Sequence, residues 1–184
     1  MDTRFLIPLL VVIVVLVVAA VLVYSRRRKS DQLRQKFGSE YDRVLQQQGN
    51  PSRAETVLAD RERRVSSFKI RALPPPERDR YAHQWAFVQK QFVDDPRGAV
   101  NEADRLVTDV MNTRGYPMSE FHQRAADISV NYPYVVENYR AANDIVLRNS
   151  NGQVGTEELR KAMVHYRSLF DELLDLPRSH KEVA

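Results

Sequence analysis

Side chains able to do chemistry are spread thinly along this chain. Its four histidines are His83, His122, His165 and His180, and imidazole is the group that serves both metals and proton transfer near neutral pH. None is paired with another histidine or a carboxylate as HxxxH, HExxH or ExxH, so no helix turn offers two ligands to one ion. Only tertiary convergence, of His122 with Glu120 and Asp127 or of His165 on the last helix, would give them a role. Serine hydrolysis needs a nucleophile elbow, and GxSxG is absent; Ser66, Ser67, Ser119 and Ser129 read as caps or surface hydroxyls. Six scattered glycines supply neither GxxxxGK[ST] nor GxGxxG, which excludes a phosphate cradle of either kind. With no cysteine there is no thiolate nucleophile, thiolate metal site or disulfide framework. The stretch from Leu147 to Glu158 sets Gly152, Val154 and Glu158 as a calcium loop would, but its first ligand position holds Leu147, so it reads as an Asn/Gly turn. Nothing here amounts to an active site, and no cofactor or metal is expected.

One polar set remains. Asp104, Arg114, Tyr116, Arg124, Asp127, Tyr139, Arg140 and Asn143 are interleaved with apolar stripes in the middle of the chain. Arginine and tyrosine dominate the energetics of protein interfaces, so Arg114, Tyr116, Arg124, Asp127, Tyr139 and Arg140 are the expected partner surface. The competing reading is that they link helices within the molecule.

The elements that must position these residues begin with an apolar leader. Phe5 to Tyr24, FLIPLLVVIVVLVVAAVLVY, is twenty residues without a charge, long enough at ~1.5 Å per residue to cross a ~30 Å hydrocarbon core once. Pro8 sits in the first turn, where its missing N–H costs no bond; Val14 and Ala20 lie inside the span; Tyr24 marks the interface. A cleaved signal peptide would carry its basic cluster before a shorter apolar stretch, and here Arg26, Arg27, Arg28 and Lys29 follow it. Those four charges outweigh Arg4 and Asp2, which puts the N-terminus outside and the remainder in the cytoplasm. They also suit anionic headgroups.

The chain's net charge of +4 suggests a nucleic-acid binder until its distribution is read. Residues 1–29 hold five bases and one acid, which is the whole surplus; removing them from totals of 28 and 24 leaves 23 of each sign. A neutral domain with both signs mixed on every helix does not track a phosphate backbone.

Beyond the collar, glycine and proline cut the chain into segments with apolar residues every three or four positions, which predicts an all-α domain. Residues 30–73 form membrane-proximal amphipathic helices, broken at Gly38-Ser39 and ended by Gly49, with Asn50-Pro51 starting the next. Leu73-Pro74-Pro75-Pro76 reads as a stiff polyproline spacer. Residues 74–176 form a bundle of about five helices: Pro76 to Val93 anchored by Trp85, one opened by Asp95-Pro96 and closed by Gly115, a short one capped by Ser119, one capped by Asn131 and starting at Pro133, and one capped by Thr156. Residues 177–184 read as a disordered tail.

The stretch QFVDDPRGAVNEADRLVTDVMNTRGYPMSEFHQRAADISVNYPYVVENYRAANDIV, with EYDRVL before it and LRKAMVHYRSLFDELL after it, resembles a family of bacterial single-pass membrane-anchored helical proteins. That resemblance covers nearly the whole chain and implies an inner-membrane setting, but it brings no activity, substrate or catalytic residue. The expected function is a membrane-anchored helical scaffold or adaptor with an unknown protein partner at the cytoplasmic face, and no nucleic acid or small-molecule ligand. The alternatives are an enzyme or ligand-binding domain with a pocket between helices, and a helical domain facing the envelope.

Overall fold

Glycine and proline punctuate the structure where they punctuate the sequence. The computed structural model describes residues 3–150 and 153–175, with side chains from Leu16 onward except those of Ala19, Leu22, Val23 and Arg26. Its regular structure among these residues is all α-helix: α1 (Thr3–Phe37), α2 (Ser39–Gln48), α3 (Pro51–Ser66), α4 (Pro75–Asp94), α5 (Pro96–Arg114), α6 (Phe121–Asn131), α7 (Val136–Ser150) and α8 (Thr156–Leu173). The all-helical class read from periodicity is thus the observed one. Among the described residues no helix is long and apolar enough to cross a membrane. The side chains of Phe5, Pro8 and Val14 lie outside the description, as do the expected tail from residue 177 and Gly152.

Two apolar clusters form the interior. The larger joins α4, α5, α7 and α8, with Trp85 stacked on Phe170 at 4.7 Å between ring centroids. The smaller is built by Leu33 and Phe37 of α1, Tyr41 and Val44 of α2, Ala54, Leu58 and Val65 of α3, and Val130 of α6. Phe68 and Ile70, in the segment between α3 and α4, pack against both.

Local signals place most boundaries. Asn50 caps α3 by accepting from the backbone N–H groups of Ser52 (2.8 Å) and Arg53 (3.3 Å), and Asp95 caps α5 through the Gly98 N–H at 2.9 Å. Gly49 and Gly115 close α2 and α5 in the left-handed conformation, at φ of 64° and 99°.

Four expectations need correction. The proline run is not a free spacer: Pro74 alone is extended, while Pro75 and Pro76 form the first turn of α4, where a missing N–H breaks nothing. The strap before it is pinned, since Arg71 N–H donates to the Arg114 carbonyl at 2.9 Å and Arg114 Nε donates back to the Arg71 carbonyl at 3.2 Å. Ser119 caps nothing; its carbonyl accepts from Arg124 Nη1 at 2.6 Å, and α6 starts two residues later. Asn131 ends α6 rather than opening α7, because its side chain donates to the Tyr116 hydroxyl at 2.7 Å, and Pro133 lies in the turn that follows. Thr156 is the first residue of α8, whose cap position is Gly155.

Candidate functional site

The polar residues of the interior gather into knots, and the tightest is centred on a glutamate. Glu40 sits in the first turn of α2, where an acid suits the helix dipole, on the same face as Phe37, Tyr41 and Val44. Its side chain is fully buried. Arg140 of α7 grips it bidentately, with Nη1 to Oε2 at 2.7 Å and Nη2 to Oε1 at 2.8 Å. Arg61 of α3 adds Nη1 to Oε1 at 2.6 Å and also reaches Ser129 Oγ at 3.2 Å. Arg43, one turn on, stands 3.8 Å away. Burial pushes the Glu40 carboxyl upward, but the hydrogen bonds and charges of Arg140 and Arg61 outweigh it and hold the group below its ordinary value. Burial, then the neighbouring Arg140 and Arg61 charges, lowers Arg43. The knot joins α2 and α3 to α7, one of the charged links between the α1–α3 unit and the bundle.

The other knots are also internal. Asp127 Oδ1 accepts from Arg64 Nε at 3.0 Å and Gln123 Nε2 at 2.8 Å. Arg124 Nε donates to the Tyr139 hydroxyl at 3.3 Å, and the Tyr166 hydroxyl donates to Asp104 Oδ1 at 2.8 Å. Burial first, then the Asp104 charge and bond, drives the Tyr166 hydroxyl far above its ordinary value, so it is a fixed donor. Arg114 Nη1 donates to the Leu173 carbonyl at 2.6 Å and its guanidinium lies 5.7 Å from the centroid of the Tyr132 ring, whose hydroxyl burial pushes up to about 12.

The six residues expected to form a partner surface therefore do not share one. Arg114, Tyr116, Asp127 and Tyr139 are buried, and Arg124 and Arg140 are half-buried and engaged inward. Sequence reading missed Glu40 and Arg61. The signal for Glu40 was present, since it falls on an apolar stripe, but its partners are 21 and 100 residues away and left no local pattern.

Among the described residues the serines and histidines are placed as follows. Ser66, Ser67 and Ser129 donate to the carbonyls of Arg63, Arg64 and Ala126, which occupies their hydroxyls within their own helices. His83 and His122 are exposed; His180 lies outside the described residues. His165 Nδ1 meets Asn138 Oδ1 at 3.1 Å, and Asn138 Nδ2 donates to Ser168 Oγ at 3.1 Å, a contact between α7 and α8. Burial, then Lys161, lowers this imidazole. Glu158 is taken by Arg148 at 2.8 Å. Among the described residues no group of three or more His, Asp or Glu could hold a metal ion.

Met111, Tyr139, Tyr166 and Phe170 fill the centre of the bundle, so the clefts are peripheral. The largest described, about 630 Å³, runs along the seam of the two apolar clusters, lined by Lys36, Arg63, Phe68, Ile70, Arg114 and Tyr132 among others. A smaller one of about 270 Å³ shares Lys36 and Tyr132 and continues to Tyr134 and Glu172. A third, about 510 Å³, lies between the start of α3 and Arg27, Lys29 and Ser30 of α1.

Comparison with protein-family models, curated proteins and solved structures finds no match for this chain. The likeness to bacterial membrane-anchored proteins rests on the residues quoted for it alone.

Proposed function

We propose that this chain is a single-pass membrane-anchored helical adaptor, with α1 as the anchor and the seam groove as the surface offered to a protein partner on the cytoplasmic side. One observation carries the reading: α1 is a single uninterrupted helix from Thr3 to Phe37, with exposed apolar side chains between Leu16 and Tyr24 and its last turns locked into the core. Leu16, Val17, Val18, Val21 and Tyr24 are each more than half exposed, and at 3.6 residues per turn these positions span about 200° of the helix circumference. A broad apolar face that no other described residue covers calls for lipid. Leu33 and Phe37, farther along the same helix, are buried in the smaller apolar cluster. The collar from Arg26 to Lys29 supports the cytoplasmic orientation. For the partner, the seam combines exposed aromatic area at Tyr134 with the exposed guanidinium of Arg63, residue types enriched at interfaces, beside the Lys36–Glu62 pair.

The test is affinity purification of the full chain from detergent-solubilised native membranes, comparing wild type with Tyr134→Glu. Recovery of one protein in stoichiometric yield, lost in the variant, is the expected result. Repeated recovery of no specific protein would overturn the adaptor reading.

A further inference from the structure

The third cleft has a placement that the adaptor reading does not use. The apolar run ends at Tyr24, and α1 continues from it without a break. At ~1.5 Å per residue, Arg27 and Lys29 stand roughly 4 to 8 Å past that point and Leu33 roughly 14 Å past it. The headgroup layer on one side of a bilayer is about 5 to 8 Å thick. Arg27 and Lys29 are therefore at headgroup depth, and the smaller apolar cluster starts just beyond it. A basic collar there is common to many anchors. What is particular to this fold is that the α2–α3 turn folds back to the same level, so that Pro51, Ser52, Glu55 and Thr56 wall a cleft of about 510 Å³ against Arg27, Lys29 and Ser30.

We propose that this cleft binds the phosphate headgroup of one anionic phospholipid, an inference that rests on α1 being a membrane anchor. Its volume falls in the range of about 300 to 1,000 Å³ usual for small-molecule sites. Among the described residues, neither Arg27 nor Lys29 meets a carboxylate within salt-bridge distance, and both are exposed. The one acid in the wall, Glu55, accepts from the Tyr41 hydroxyl at 3.3 Å, toward the protein core. The attraction does not come from the α3 terminus, whose Ser52 and Arg53 N–H groups are already bonded to Asn50. It comes from two cations, unpaired with any carboxylate among the described residues, held opposite the turn that carries the Ser52 hydroxyl, while the Thr56 hydroxyl donates to the Ser52 carbonyl at 2.9 Å; this is the depth where a lipid phosphate lies.

The test uses the delipidated full chain in neutral detergent, titrated with phosphatidylglycerol, phosphatidylcholine or inorganic phosphate and read by native mass spectrometry. Ser52→Glu is the informative variant: it places an acid in the cleft, leaves the collar that sets orientation untouched, and is tolerated in a first helical turn. The expected result is one tightly retained phosphatidylglycerol, retained about tenfold more weakly by Ser52→Glu at an unchanged melting temperature, and no preference of that kind for phosphatidylcholine. Equal retention of the two lipids, or undiminished retention of phosphatidylglycerol by Ser52→Glu, would overturn the proposal. Displacement of the lipid by inorganic phosphate would also overturn it, by showing a site for the free anion. Carbonate extraction of membranes separates the two levels of the argument. A chain that resists extraction yet shows no lipid preference refutes only the cleft, and a chain that is extracted refutes the anchor.

Discussion

A single carboxylate, Glu40, holds the most consequential polar contacts in this molecule. It bonds Arg61 and Arg140, and thereby links α2 to α3 and to α7 of the bundle. Taking charges out of water is costly, and the cost is recovered only while each partner is present. Glu40→Ala leaves two inward-facing guanidinium groups without their acceptor, and we expect a loss on the order of 3 kcal/mol, seen as a lowered denaturation midpoint. Glu157→Ala, which breaks an exposed pair with Arg160, should leave the midpoint where it was. The same group sets an acid limit. Its pKa is lower folded than unfolded, so the unfolded state binds the proton more readily below the ordinary carboxylate value of 4.5. The stability from Glu40 is complete above that pH and drains away as pH falls through the lowered folded value. Equilibrium unfolding at stepped pH should show this acid-side loss in wild type and a shallower one in Glu40→Gln.

At the scale of elements, what the sequence made legible was whatever a few neighbouring residues decide. The caps Asn50 and Asp95, the glycine stops Gly49 and Gly115, and the apolar stripes of α5 and α8 are local consequences of side-chain geometry. The cap expected at Asn131 was not, because its side chain is drawn to the Tyr116 hydroxyl from elsewhere in the fold, and α6 starts too late for Ser119, whose carbonyl accepts from Arg124, to cap it. Residues 25–30 contain neither glycine nor proline, and α1 runs through them from the apolar run to Phe37. The polar centre was legible as a set of residues but not as an interior, since its pairings span long stretches of chain. Gly115 is the sharpest test at this scale. Besides its φ of 99°, a Cβ there would lie 2.5 Å from the Lys69 carbonyl oxygen of the strap, whereas a Cβ at Gly49 would meet nothing within 4 Å. Gly115→Ala should cost roughly 1 to 3 kcal/mol from the backbone alone, and more from the clash. Gly49→Ala should cost less, and thermal melts of the two variants give the comparison.

For the whole molecule, the decisive feature is that the proposed anchor and the domain share one helix. A flexible tether would leave the domain free to tumble; if α1 is the anchor, its continuity and the burial of Leu33 and Phe37 in the core would fix which face meets the membrane and hold the seam groove in a set orientation. Orientation across the membrane rests on the collar, so replacing Arg26, Arg27 and Arg28 together by Glu should reverse or mix it, as read by protease protection of the domain. The most direct test of the anchored account uses the absence of native cysteine. Single substitutions Val18→Cys and Lys90→Cys, treated in sealed membranes with a membrane-impermeant maleimide, probe the bare stretch of α1 and the exposed flank of α4. The account predicts that Lys90→Cys is labelled once the cytoplasmic side is opened and that Val18→Cys stays unlabelled until detergent removes the lipid. Labelling of Val18→Cys as fast as Lys90→Cys in intact membranes would contradict it.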